Sequence, residues 1–285
     1  MSWVSFGPRG GRLAGVVLLA VAAAQCGQTP TSPSTSGSVL SRGEAPQSGP
    51  PPTGGDSLGT INALGATNYL AFGDSITWGT TSSFDGGFLF DPCGGCSYPS
   101  QLDNLLEAAF TTQNFTVNNA GNPGEWAQQA VSSGRFQQAV NAQRPQGVLL
   151  LEGINDLNNG RSVAAVVASL QQMVDIARLY NATVLVSTMY QTCVSTQPET
   201  GQVRLNSADK IVSFNNAITA MAAGRQNVYV VNLYGAFGSG NCGPDGGINL
   251  LGADGLHPTV SGYQVMANTF GQALRDRFPV RGSFQ

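Results

Sequence analysis

From about residue 62 onward, short apolar runs alternate with longer amphipathic stretches, and this alternation constrains the fold more than any other feature. Tyr69–Phe72, Phe115–Asn118, Val148–Leu151, Val184–Met189 and Val228–Val231 read as five strands. Nearly continuous apolar runs of that length suit strands covered on both faces. Helix candidates fill the gaps at Pro99–Phe110, Glu125–Val140, Val163–Leu179 and Ser207–Ala223. A last helix, from about Ser261 to Phe278, places Tyr263, Met266, Phe270 and Leu274 on one stripe. Strands alternating with helices imply a parallel sheet with helices on both faces. The expectation is an α/β fold, a three-layer α/β/α sandwich around a five-stranded parallel sheet, over residues 59–285.

The sequence upstream is of another kind. Arg9 and Arg12 precede an apolar run from Leu13 to Ala24, twelve residues long. A helix needs about 20 residues to cross a bilayer, so residues 1–25 read as a secretory signal peptide. Two processing readings stay open. Ala22 and Ala24 suit cleavage before Gln25, whereas Ala23-Ala24-Gln25-Cys26-Gly27 resembles a lipoprotein signal in which Cys26 is acylated. Residues 26–58 are Pro, Ser, Thr and Gly with hardly any apolar content, the composition of a flexible tether. The expected location is extracellular or the bacterial envelope.

Composition removes several classes of chemistry. Only 10% of residues are charged and the net charge is −3, which gives no electrostatic case for nucleic acid. There is one histidine, His257, so a zinc site built on several imidazoles is excluded and imidazole chemistry has one candidate. No metal and no cofactor is expected. Of five cysteines, Cys193 and Cys242 follow the fourth and fifth strands, and a disulfide there would tie two loops together. Cys93-Gly94-Gly95-Cys96 reads as a small-loop bridge, which leaves Cys26 over.

Polar motifs follow the strands. In such sheets ligands bind outside the carboxyl ends. Gly73-Asp74-Ser75 follows the first strand, Gly124 the second and Gly153-Ile154-Asn155-Asp156 the third. Asp254-Gly255-Leu256-His257-Pro258 lies in the loop after the fifth. Acyl transfer needs a nucleophile, a base, a group that orients the base and donors for the oxyanion. Ser75, His257 and Asp254 can fill the first three roles, with the N–H groups of Ser75 and Gly124 and the Asn155 amide as donors.

These four blocks resemble the GDSL-type, or SGNH, hydrolase superfamily. Its letters correspond to Ser75, Gly124, Asn155 and His257, in Tyr69-Leu70-Ala71-Phe72-Gly73-Asp74-Ser75-Ile76, Asn119-Ala120-Gly121-Asn122-Pro123-Gly124, Gly153-Ile154-Asn155-Asp156 and Asp254-Gly255-Leu256-His257-Pro258. The resemblance implies a flavodoxin-like sheet and esterase or lipase activity without metal. The second block departs from the family pattern with Asn122-Pro123 and with Glu125-Trp126 after the glycine, and Gly121 stays open as a rival oxyanion glycine. Asp74 reads as structural. Gly55-Asp56-Ser57-Leu58-Gly59 spells the family's namesake, but tether precedes it instead of the strand that a strained serine turn requires.

The function expected is a secreted or envelope-anchored serine ester hydrolase that cleaves carboxylic acyl esters through an acyl-enzyme intermediate with a Ser-His-Asp triad. Simple acyl or lipid esters and O-acetyl groups on polysaccharide both stay open as substrates. Trp78, Phe84, Phe88, Phe90, Trp126 and Tyr190 are candidates for an acyl or alcohol pocket. A monomer is expected, with membrane attachment only through Cys26. A non-catalytic surface binding module is the alternative class; it predicts loss of the serine, the histidine or a donor, and all are present.

Overall fold

The computed structural model describes residues 61–82, 88–90, 94–192, 208–238, 250–252 and 254–281. The expected signal peptide and tether, Ser57, Phe84, Cys26, Cys93, Cys193 and Cys242 lie outside the described residues. Cys96 lies within them, and its sulfur is disulfide-bonded.

The elements run β1 (Ile61–Leu64), β2 (Asn68–Gly73), α1 (Ser75–Trp78), β3 (Thr80–Ser82), β4 (Phe88–Phe90), α2 (Tyr98–Ala109) and β5 (Thr116–Gly121). They continue with α3 (Ala127–Ser132), α4 (Arg135–Gln143), β6 (Gly147–Leu151), α5 (Ile154–Asn158), α6 (Val163–Leu179) and β7 (Thr183–Ser187). The last are α7 (Ala208–Ala222), β8 (Val228–Val231), α8 (Leu233–Phe237), α9 (Val260–Arg277) and β9 (Pro279–Arg281).

The central sheet has five parallel strands in the order β5-β2-β6-β7-β8. Counted among themselves these strands run 2-1-3-4-5, the flavodoxin-like order, whose switch point falls between β2 and β6. Every residue of β6 is buried, as are Val184–Ser187 of β7, because helices cover both faces of the sheet. On one side α2 packs on α9; elsewhere α6 packs on α3, α4 and α7. The five sheet strands expected from the sequence are all present.

Three details differ from the sequence reading. The second strand runs Thr116–Gly121, ending three residues later than the apolar run, because β5 is an edge strand and tolerates the polar Asn118 and Asn119. The helix expected over Glu125–Val140 is two, broken where Gly134 takes a left-handed φ of 75° between α3 and α4. Glu125 and Trp126 precede α3 and are not helical. Two small antiparallel pairs, β1 with β9 and β3 with β4, carry no strong alternation and were not expected.

Candidate active site

The switch point between β2 and β6 is where the site assembles. The chain leaves β2 at Gly73, and Asp74 turns it by accepting the Ile76 N–H on Oδ1 at 2.9 Å. Ser75 is then the first residue of α1, so its own N–H has no intrahelical acceptor. This short helix lies against the end of β5. A Cβ on Gly121 would stand 2.2 Å from the Trp78 backbone nitrogen, so only glycine permits the approach.

The same geometry separates the two rival glycines. The Gly121 N–H donates to Asn119 Oδ1 at 2.9 Å and is occupied. Gly124 is exposed, its φ is +79°, and no described residue accepts from its N–H. Gly124 therefore has a donor to offer at the sheet edge.

His257 comes from the far end of the sequence. Its loop is closed by an isolated bridge between Leu251 and Pro258 and by the Gly252 N–H donating to the His257 carbonyl at 2.8 Å. Ser75 Oγ and His257 Nε2 are 2.8 Å apart, and His257 Nδ1 is 2.5 Å from Asp254 Oδ2. A carboxylate can only accept, so Nδ1 carries the ring hydrogen and Nε2 is left to accept from the serine hydroxyl. Asp254 Oδ1 accepts the Leu256 and His257 N–H groups, both at 3.0 Å, which anchors the carboxylate whose other oxygen meets the ring. Burial works to raise the Asp254 pKa, but the hydrogen bond and charge of His257 and the two N–H donors outweigh it and lower it.

Asn155 sits in the first turn of α5, after β6. Its Nδ2 is 2.9 Å from the Glu125 carbonyl and 3.3 Å from Asp74 Oδ2. The contact to Asp74 is the weaker, so an oxyanion would compete with Asp74 for that hydrogen. Asp156 Oδ2 accepts the Ala127 N–H at 2.8 Å and staples α5 to the start of α3.

Acidic groups are concentrated behind the serine: Asp74, Glu125, Glu152 and Asp156 are all buried. Burial raises the Asp74 pKa to about 6, against the Ile76 N–H and His257, with Asp156 and Glu125 adding to the rise. Glu152 is raised well above the ordinary carboxylate range by burial first and then by Asp74 and Glu125. Its Oε2 accepts the Gly153 N–H at 2.9 Å, and no described residue pairs with Oε1.

Sequence reasoning singled out neither Glu152 nor Arg135, and treated Glu125 only as a departure from pattern. Arg135 Nε lies 2.7 and 2.8 Å from the two Glu125 oxygens, from a position ten residues later that no motif marks. Among the pocket candidates Tyr190 is a correction. It is fully buried, stacked on Phe237 with ring centroids 4.2 Å apart, and donates its hydroxyl to the Leu256 carbonyl at 2.8 Å. It braces the histidine loop from within the core, closed off from solvent. Trp126 is half-buried with the Arg161 guanidinium 5.4 Å from its ring, and Trp78 is 42% exposed. Phe88 and Phe90 lie in β4.

The model of the GDSL-like lipase/acylhydrolase family matches residues 71–265, more than half of the chain. The chain belongs to this family. As a GDSL-like lipase/acylhydrolase it is a carboxylic ester hydrolase. Similar solved structures include a lipase/acylhydrolase from Enterococcus faecalis, 22% identical, with a TM-score of 0.57 over 76% of this chain and 100% of that one. An α/β hydrolase from the metagenome of Lake Arreo, Spain, is 22% identical, with a TM-score of 0.57 over 75% of this chain and 98% of that one. Est24, a carbohydrate acetylesterase from Sinorhizobium meliloti, is 16% identical, with a TM-score of 0.60 over 74% of this chain and 100% of that one. At these identities the likeness shows the shared fold. No curated protein matches the sequence.

Proposed function

We propose that this GDSL-like hydrolase is a serine esterase working through an acyl-enzyme on a Ser75–His257–Asp254 triad. The observation that carries the reading is the unbroken chain from Ser75 Oγ to His257 Nε2, at 2.8 Å, and from His257 Nδ1 to Asp254 Oδ2, at 2.5 Å. His257 takes the hydroxyl proton as Oγ bonds to the ester carbon, and the carbonyl electron pair moves onto its oxygen. The N–H groups of Ser75 and Gly124 and one N–H of Asn155 receive that oxyanion. When it collapses, the ester C–O bond breaks and the leaving alkoxide takes the proton from His257. Water repeats the sequence on the acyl-enzyme and releases the acid. Asp254, its pKa lowered, stays ionised and stabilises the imidazolium throughout.

Ser75→Ala should abolish ester hydrolysis and fluorophosphonate labelling, while Ser57→Ala should leave both intact. Activity surviving in the Ser75 variant would end this mechanism.

The substrate is a simple acyl or lipid ester or an O-acetylated carbohydrate. The second reading is favoured by Trp78, which presents a 42% exposed indole one helical turn after Ser75, where a sugar ring could stack. Rates on p-nitrophenyl esters from acetyl to palmitoyl, beside acetylated xylan and pectin, separate the two. We place the enzyme outside the cytoplasm, exported by residues 1–25 and either released or held by acylated Cys26. Metabolic labelling with a fatty-acid analogue, lost in Cys26→Ser, distinguishes these outcomes.

A further inference from the structure

Arg135 is the first residue of α4, where a cation opposes the helix macrodipole. Helix stability therefore does not account for its place. Its guanidinium instead reaches four points on three segments. Nε is 2.7 and 2.8 Å from the Glu125 carboxylate oxygens, and Nη2 also meets Oε2. Nη1 donates to the Ala120 carbonyl at 2.9 Å, near the end of β5, and Nη2 to the Gly73 carbonyl at 3.4 Å, at the end of β2. The group lies over the Phe72 ring, 4.0 Å from its centroid.

Glu125 in turn is the residue after Gly124. Its carbonyl accepts from Asn155 Nδ2 at 2.9 Å, its N–H donates to the Asn122 carbonyl at 3.1 Å, and its Oε1 accepts from Asn122 Nδ2 at 3.2 Å. One residue thus stands between two of the oxyanion donors, and its side chain is anchored to the strand ends by Arg135.

We propose that Arg135 is a positioning residue for the oxyanion site, acting through Glu125 to hold the Gly124 N–H and the Asn155 amide in register with Ser75. This rests on reading Gly124 and Asn155 as oxyanion donors. Arg135 touches no reacting atom, so its removal should lower kcat and leave KM nearly unchanged. A planar fork that serves several oxygens at once is not reproduced by an ammonium, so lysine should rescue only part of the loss.

The test is steady-state kinetics on p-nitrophenyl acetate for Arg135→Met, Arg135→Lys, Glu125→Gln/Arg135→Met and Asn155→Ala, with folding checked by circular dichroism. Asn155→Ala should cost about 100- to 1000-fold in kcat, as loss of one donor does. Arg135→Met should cost at least about 10-fold in kcat, within that bound, with KM changed less than about twofold. Lysine should fall between Met and the native enzyme. The double variant carries no unpaired buried carboxylate at this point; it keeps the comparison usable if Arg135→Met fails to fold, and its kcat should be as low as that of the single variant. Native kcat in folded Arg135→Met or in the double variant, or a change confined to KM, overturns the positioning role alone. Native kcat in Asn155→Ala overturns the oxyanion reading and the proposal with it.

Discussion

Asp74→Asn should change how stability depends on pH, and the structure sets the size. In the folded protein the Asp74 carboxyl is fully surrounded, and burial raises its pKa from 3.8 to about 6. Since the folded value is the higher, the folded state binds this proton more tightly. The stability it contributes is fully present below about pH 4 and is lost as pH rises through about 6. At about 1.4 kcal/mol per pH unit, the interval corresponds to about 3 kcal/mol. Asparagine keeps an oxygen for the Ile76 N–H but carries no charge to desolvate. It loses the acceptor that faces Asn155 Nδ2, and that loss is present at every pH. The stability of Asp74→Asn relative to the native protein should therefore improve by about 3 kcal/mol between pH 4 and pH 7.5. Relief of the buried Glu152, whose pKa Asp74 helps to raise, acts in the same direction. Urea unfolding at a series of pH values, followed by tryptophan fluorescence, reads the difference directly. A stability difference that is flat across that range would show that Asp74 is not held near 6 and would refute the reasoning.

Asp254→Asn should leave the fold intact and lower kcat by about 10⁴-fold, because an amide can present a donor to Nδ1 and favour the wrong imidazole tautomer; kcat within tenfold of native would remove Asp254 from the triad. Gly121→Ala should destabilise the protein and reduce activity together, since its methyl carbon would stand 2.2 Å from the Trp78 nitrogen and displace the helix that begins at Ser75; a native thermal midpoint would contradict the close approach. Peptide mapping without reductant should find Cys193 joined to Cys242, closing a loop of about 50 residues worth about 4 kcal/mol in chain entropy, and finding both thiols free would dismiss the bridge.

The legible parts of the fold were those where one physical demand dominates a short run of sequence. Val148–Leu151 and Val184–Val186 are apolar without interruption because strands inside a covered parallel sheet meet side chains on both faces. Thr116–Gly121 was placed less well, since an edge strand answers to solvent as well as to the core. Ser75, Gly124, Asn155, Asp254 and His257 stood out because each follows a strand in a turn-forming context. Arg135 and Glu125 did not, because their partners at Gly73, Ala120 and Asn155 are distant in sequence and meet only once the sheet is assembled. Tyr190 was misjudged for a related reason. An aromatic residue at a strand end serves a pocket or a core equally well until its neighbours are known, and here Phe237 and the Leu256 carbonyl claim it.

The pairing of β1 with β9 bears on how this enzyme can be cut and joined. Ile61 lies opposite Arg281, and the Gly65 N–H donates to the Phe278 carbonyl at 2.8 Å. Phe278 also meets the Tyr69 ring, at 5.9 Å between centroids, and a Cβ on Gly147 would contact both rings. Tyr69 and Gly147 stand at the amino ends of β2 and β6, whereas Ser75 and Asn155 follow their carboxyl ends. The two strands that begin and end the described domain thus pair beside the amino ends of the central strands, away from the serine. A short peptide joining them would close the backbone into a ring without crossing the carboxyl ends of the strands, where Ser75 and Asn155 lie. New termini opened in a surface turn such as Arg225–Asn227 would then give a permuted chain in which the segments carrying Ser75, Asn155 and His257 are uncut.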